Sequence, residues 1–263
     1  MSSTLFRLGP VPVRSYGLMM ALAFVAGIAL AARRGRQAGV RPEVIVDLGL
    51  ISLLLGVAVA RLTFVALDPA LGWRDFPYLW TGGLSFHGGM AGAIAGCWLY
   101  VRWRRLDFWA LADVVAPSVA LGYAIARLGC FLNGCCYGLP AALPWACRFP
   151  DEHRGGLTPP SHPTQLYASL GSLAMLGLLL MLAPRLRVRG QLFAAYLGLY
   201  GVLRFVVEIF RRGASAQVLW GGLTLAQFVS LALILGAGAA AWALERRAHR
   251  APGGAPGGGR AAV

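Results

Sequence analysis

Seven apolar runs divide the chain: Tyr16 to Ala32, then about 45–60, 84–101, 108–126, 164–183, 192–210 and 223–244. Each is about 17–22 residues long, near the ~20 that a helix needs to cross ~30 Å of hydrocarbon. Inside a bilayer the backbone must satisfy its own hydrogen bonds. The pattern therefore predicts an all-α polytopic membrane protein with about seven transmembrane helices. Between the runs, 61–83 and 127–163 are the long connections, rich in Trp, Pro and Gly, and long enough to fold back as a cap on one side. The expected organisation is one helical bundle over 1–247, including those two loops, followed by 248–263 as a disordered tail. The closing APGGAPGGGRAAV has no apolar periodicity.

Arginine placement orients the spans. The first run is followed by Arg33, Arg34 and Arg36 rather than preceded by its charges, and no small-residue cleavage site comes after it. It reads as a retained span with the N-terminus outside, not as a signal peptide. The cytoplasmic side then holds Arg41, Arg102, Arg104, Arg105, Arg185, Arg187, Arg189, Arg246, Arg247, Arg250 and Arg260 as well, the majority of all 24 arginines. That bias satisfies the positive-inside rule and puts the C-terminus in the cytoplasm, with 61–83 and 127–163 outside.

Composition agrees with the pattern. Hydrophobic residues make up 58% of the 263, charged residues 13%, and mean hydropathy is +0.65, too apolar for an ordinary soluble fold. The net charge of +14 comes wholly from arginine, since the chain has no lysine. Those arginines fall in short clusters between apolar runs, which suits anionic lipid headgroups and argues against nucleic acid as a partner. No internal repeat of the inverted-transporter kind is evident.

Against this apolar background a few polar residues need a reason. In GYAIARLGCFLNGCCYGLP (122–140) an apolar run ends on Arg127 and opens into glycines, Asn133 and three cysteines. A guanidinium at the end of such a run either snorkels to headgroups or binds an anion. Arg204 and Glu208 lie four apart in YGVLRFVVEIFRR, on one helix face, as a structural ion pair or an anion-binding arginine held by its glutamate. His87, in GLSFHGGMAG, is a packed, hydrogen-bonded histidine or a proton acceptor. Glu43, Asp47 and Asp113 stand near the inner ends of their spans and read as caps or interfacial groups. HPTQLY (162–167) starts the fifth helix, with Pro163 suited to its first turn. Under this topology His87, Arg127, His162 and Arg204 all fall toward the outer half. Two arginines and a histidine facing one outer-leaflet cavity make an anionic headgroup site with a possible base.

These motifs resemble those of the prolipoprotein diacylglyceryl transferase family. The matching segments are YGLM at 16–19, SFHGG at 85–89, ARLGCFLNGCCYG at 126–138, HPTQLY at 162–167 and YGVLRF at 200–205, in the family's order and spacing. Ala126, Cys130 and Cys135 stand where the family usually has Gly, Asn and Glu. The resemblance implies an enzyme of the bacterial plasma membrane that moves the diacylglyceryl group of phosphatidylglycerol to the lipobox cysteine of a prolipoprotein, releasing glycerol phosphate. Its partners would be that lipid, lipobox signal peptides and the surrounding membrane lipids. By the same resemblance His87, Arg127 and Arg204 are catalytic, and Arg127, Arg204, Tyr16, Asn133, Gly138, Tyr200 and Glu208 bind the lipid. The thiol is the substrate's, so no cofactor and no metal is expected.

The cysteines leave other readings open. Cys130, Cys135, Cys136 and Cys147 fall on the expected outer side, where disulfides form, and Cys97 lies within a span. They are candidates for one or two stabilising disulfides in 127–163, or for a membrane thiol–disulfide oxidoreductase. No CxxC is present, and a bridge between adjacent Cys135 and Cys136 would be strained. Two adjacent cysteines with distant histidines also lack the usual zinc spacing. A non-catalytic lipid-binding relative is the third alternative.

Overall fold

A computed structural model describes residues 4–8, 11–68, 71–78, 83–150, 155–211 and 218–250. Its seven long helices are α1 (Ser15–Gln37), α2 (Pro42–Leu67), α3 (Phe86–Trp103), α4 (Phe108–Asn133), α5 (Thr164–Leu182), α6 (Gln191–Ile209) and α7 (Leu225–Arg250). Every expected span is present as one helix. Six are long and apolar enough to cross a membrane; α3, with 18 residues and Arg102 in its last turn, falls outside that set. The chain is a multi-pass membrane protein.

Two antiparallel hairpins accompany the helices and were not anticipated. One pairs β1 (Thr4–Leu8) with β2 (Val11–Arg14), and the other pairs β3 (Val218–Trp220) with β4 (Leu223–Thr224). At two to five residues per strand they are too short to register as periodic segments. Helix ends also differ from the hydropathy limits. α2 runs to Leu67 and α4 to Asn133, each passing through the arginine at which its apolar run stops. α7 continues to Arg250, and the rest of the expected tail, 251–263, lies outside the described residues.

The described residues form two compact units, one of 4–30 with 112–250 and the other of Ala31–Leu111. In the second unit α3 lays Gly88, Gly92 and Gly96 against α2. A methyl carbon at Gly92 would stand 2.5 Å from the Leu55 carbonyl oxygen and 2.6 Å from Val59 Cβ. Small residues at four-residue spacing let two backbones approach where lipid provides no hydrophobic drive for helix association. Arg61 is almost fully buried near the end of α2, and it is satisfied by carbonyls of the segment that folds back over it. Its Nη2 donates to Asp75 O at 2.6 Å, Nη1 to Gly83 O at 3.1 Å and Nε to Phe76 O at 3.4 Å. Tyr100 donates to Asp47 at 2.5 Å, so Asp47 joins α2 to α3.

In the first unit, α4, α5 and α6 share a core of Ala116, Ala120, Met175, Leu179, Leu192 and Tyr196. Ser169 and Ser172 donate to the carbonyls of Ala124 and Ala120 at 2.9 and 2.7 Å, fastening α5 to α4. Asp113 caps the start of α6, accepting from Gly190 N at 2.7 Å and Phe193 N at 2.8 Å. A carboxylate there meets unpaired backbone donors and the positive end of the helix dipole. Thr224 and Gln227 form a reciprocal capping box at the start of α7.

Candidate functional site

The last two turns of α4 carry Arg127. Arg127 sits half-buried with its guanidinium 4.7 Å from the centre of the Tyr123 ring, one turn earlier. Tyr123 meets Tyr200 of α6 edge-on at 5.6 Å, and Tyr200 stacks on Tyr196. A chain of aromatic rings thus joins the two helices that supply the arginines.

One turn beyond Tyr200, Arg204 is ion-paired with Glu208 across i,i+4. The Glu208 side chain is fully buried and that of Arg204 keeps 13% of its exposure. The second carboxylate oxygen accepts from Thr224 Oγ1 at 3.4 Å. Pairing at both oxygens explains how an acid lies inside an apolar helix layer. Arg127, Arg204 and Arg211 all act electrostatically on Tyr200. Three cations therefore lie within electrostatic range of one phenol.

Arg211 was not singled out from the sequence, because it follows α6 beside Arg212 and looks like an ordinary interfacial charge. Its backbone pairs with Gly138 in an isolated antiparallel bridge, and its Nε is buried with no hydrogen-bond partner among the described residues. A buried guanidinium donor without a partner is a costly arrangement unless a ligand completes it. Tyr123 was missed as well, although its i−4 spacing from Arg127 was a usable signal.

The segment after α4 is held by HPTQLY. Thr164 Oγ1 donates to Cys136 O at 2.8 Å, and Gln165 Nε2 donates to Cys135 O at 2.7 Å. The motif is thus a helix start whose first turn clamps the Cys135–Cys136 turn. Cys136 itself has φ 63°, a left-handed conformation rare for a non-glycine residue. Gly138 is packed with no room for a side chain against Phe210 O, Thr164 and His162, while its N–H donates to His162 O at 2.9 Å. His162 belongs to an aromatic cluster. Its Nδ1 lies 3.1 Å from the Tyr167 hydroxyl, which also accepts from Trp145 Nε1 at 2.9 Å, and its ring lies 5.0 Å from that of Phe210.

The sulfurs of Cys130, Cys135 and Cys136 lie within 4.8 Å of one another, and Cys147 is not among them. All five cysteines are free thiols in the structure. Hydrogen bonds from Cys130 and Cys135 hold the Cys136 thiol far below the usual thiol range, helped by the charges of Arg211 and Arg127. Tyr16, at the start of α1, stands within electrostatic reach of this cluster and of Arg127. Asn133 closes α4, within electrostatic reach of Cys135.

Of the residues expected at the site, Tyr16, Arg127, Asn133, Tyr200, Arg204 and Glu208 belong to the first unit, with Gly138 serving as a packing position there. His87 belongs to the second unit. It is an exposed residue in the first turn of α3, after the Ser85 cap, with its ring edge-on to Phe86.

A model of the family described as prolipoprotein diacylglyceryl transferase matches residues 3–243. Among similar curated proteins, one from Bordetella avium is 36% identical over 255 residues, covering 94% of this chain and 96% of its own length. One from Thermosynechococcus vestitus is 37% identical over 252 residues, covering 91% and 90%. One from Trichormus variabilis is 33% identical over 265 residues, covering 92% and 90%. All three carry the name phosphatidylglycerol–prolipoprotein diacylglyceryl transferase.

Proposed function

Because the chain belongs to the prolipoprotein diacylglyceryl transferase family, we propose that it transfers the diacylglyceryl group of phosphatidylglycerol to the lipobox cysteine of prolipoproteins. It acts in the bacterial inner membrane, with its N-terminus outside and its C-terminus in the cytoplasm. The observation that carries this reading is that Arg127, Arg204 and Arg211 all lie within electrostatic range of Tyr200 on α6. An anion with two acyl chains is the ligand that both the charges and their membrane setting suit.

The chemistry follows from that placement. The substrate's sulfur bonds to the glycerol carbon that bore the phosphate, and the carbon–oxygen bond breaks with its electron pair leaving on the phosphate oxygen. The thiol proton goes to a base, and the resemblance assigns that role to His87. Negative charge grows on the departing glycerol phosphate, so fixed guanidiniums stabilise the transition state more than the ground state. Arg127 is oriented by the Tyr123 face and Arg204 by Glu208, so neither must reorganise as charge develops. Tyr200, Tyr16 and Asn133 line the same region as hydrogen-bonding groups. The nucleophile comes from the substrate protein, so the reaction uses no thiol of this chain.

The test is direct. Purified protein in detergent, given phosphatidylglycerol and a lipobox peptide, should add one diacylglyceryl mass to the peptide cysteine and release glycerol phosphate. Arg127→Ala should abolish the product. Arg127→Lys keeps the charge but loses the planar fork, and turnover should drop on the order of 10²–10³-fold. Unimpaired turnover in the lysine variant would overturn the role given to Arg127.

A further inference from the structure

We propose that Cys130, Cys135 and Cys136 form a three-thiolate site for a thiophilic metal ion, distinct in chemistry from the lipid transfer that the fold supports. The sequence spacing concealed it. In CFLNGCC two of the three cysteines are adjacent, and an extended chain points adjacent side chains to opposite sides. Here Asn133 ends α4, Gly134 at φ 79° turns the chain, and Cys136 at φ 63° turns it again. The three sulfurs thereby face one another within 4.8 Å.

Metal–thiolate bonds are about 2.3 Å long, so three sulfurs on one ion stand about 3.8–4.0 Å apart. The observed spread closes onto an ion with side-chain movements of less than about 1 Å, well within rotamer adjustment. The turn that presents two of the sulfurs is already braced by Thr164 and Gln165 on its carbonyls. All three cysteines are half-buried rather than sealed, which leaves a path for an ion to enter.

Charge selects the class of ion. Three thiolates carry three negative charges, and Arg127 and Arg211 lie near enough to Cys136 to offset two of them. A soft cation with low coordination number, Cu⁺ at neutrality and Zn²⁺ or Cd²⁺ at one positive charge, then leaves the site near balance. Hard cations such as Mg²⁺ and Ca²⁺ prefer oxygen ligands. A disulfide is the competing use of the same sulfurs. It would consume two and leave the third without a role.

The experiment uses the full chain, reduced and then desalted anaerobically in detergent, and titrated with Cd²⁺ alone. Thiolate-to-cadmium charge-transfer absorption in the ultraviolet should rise and saturate at one ion per chain. Cys130→Ser and Cys136→Ser should each weaken binding at least ten-fold, while Cys97→Ser and Cys147→Ser should leave it unchanged. Cd²⁺ should raise the thermal midpoint of the parent protein and not that of the Cys136→Ser variant, because only a folded site binds the ion. That comparison also reveals a variant that has simply failed to fold, in which case Cys135→Ser replaces it. Saturation that ignores the three serine variants overturns the proposal. So does the absence of binding while all three thiols still react with a thiol reagent, or the finding of a disulfide among the three in the protein as isolated.

Discussion

Replacing Glu208 with leucine should destabilise the protein more than replacing Glu208 and Arg204 together. The Glu208 side chain is fully buried, and its two oxygens are held by Arg204 and by Thr224 Oγ1. Removing one partner of a buried pair costs about 3–5 kcal/mol, because the other charge is left uncompensated. Arg204 keeps 13% of its side-chain exposure and recovers some hydration, so the lower end, about 3 kcal/mol, applies. Loss of the Thr224 acceptor adds about 0.5–1 kcal/mol. In the double variant Arg204→Met/Glu208→Leu no charge is stranded, and replacing a buried pair by apolar groups is commonly neutral or stabilising. Replacing Arg204 in the Glu208→Leu background should therefore recover about 3 kcal/mol, a coupling expected of residues in contact. The assay is reversible unfolding of the purified protein in mixed micelles by titration with sodium dodecyl sulfate, followed by circular dichroism. Both variants should lose transferase turnover, which separates the stability effect from the catalytic one. A coupling below about 0.5 kcal/mol would refute the argument, because Arg204 would then not depend on Glu208 for its place in the apolar layer.

Two further outcomes follow from the geometry. Gly92→Leu should force α2 and α3 apart, because the new side chain would start 2.5 Å from the Leu55 carbonyl oxygen; a loss of about 3 kcal/mol is expected. For a chain of this size that lowers the thermal midpoint by roughly 6–12 °C, and an unchanged midpoint would show that the helices do not meet through their glycines. Alkylation of Cys136 by iodoacetamide should be nearly independent of pH between about 6 and 8, because a thiol whose pKa is lowered is already thiolate across that range. An ordinary thiol would speed up roughly 70-fold over the same interval. Site-resolved mass spectrometry distinguishes the two, and a steep rise at Cys136 would remove the claim that its neighbours acidify it.

Hydropathy alone located all seven helices, because a bilayer requires about twenty apolar residues for each crossing and leaves little freedom in how that requirement is met. It also marked Arg127, Arg204 and Glu208, since charge in an apolar run is costly enough to need a reason. Where helices end was not legible in the same way. The runs stop at Ala60 and Ala126, yet α2 and α4 continue for about two more turns. Arg61 is accommodated by carbonyls of Asp75, Phe76 and Gly83, which exist as partners only once the following segment folds back. Tertiary contact likewise decided the meaning of HPTQLY. Its Thr164 and Gln165 hold the carbonyls of residues 28 and 30 positions earlier, a relation that no local periodicity encodes. The sulfur cluster and the buried Nε of Arg211 are of the same kind. Amino-acid order determined which segments enter the membrane, because burial in lipid is a property each segment meets by itself. Only the folded chain decided which polar groups meet, because hydrogen bonds and ion pairs depend on distance and direction in space rather than on separation along the sequence.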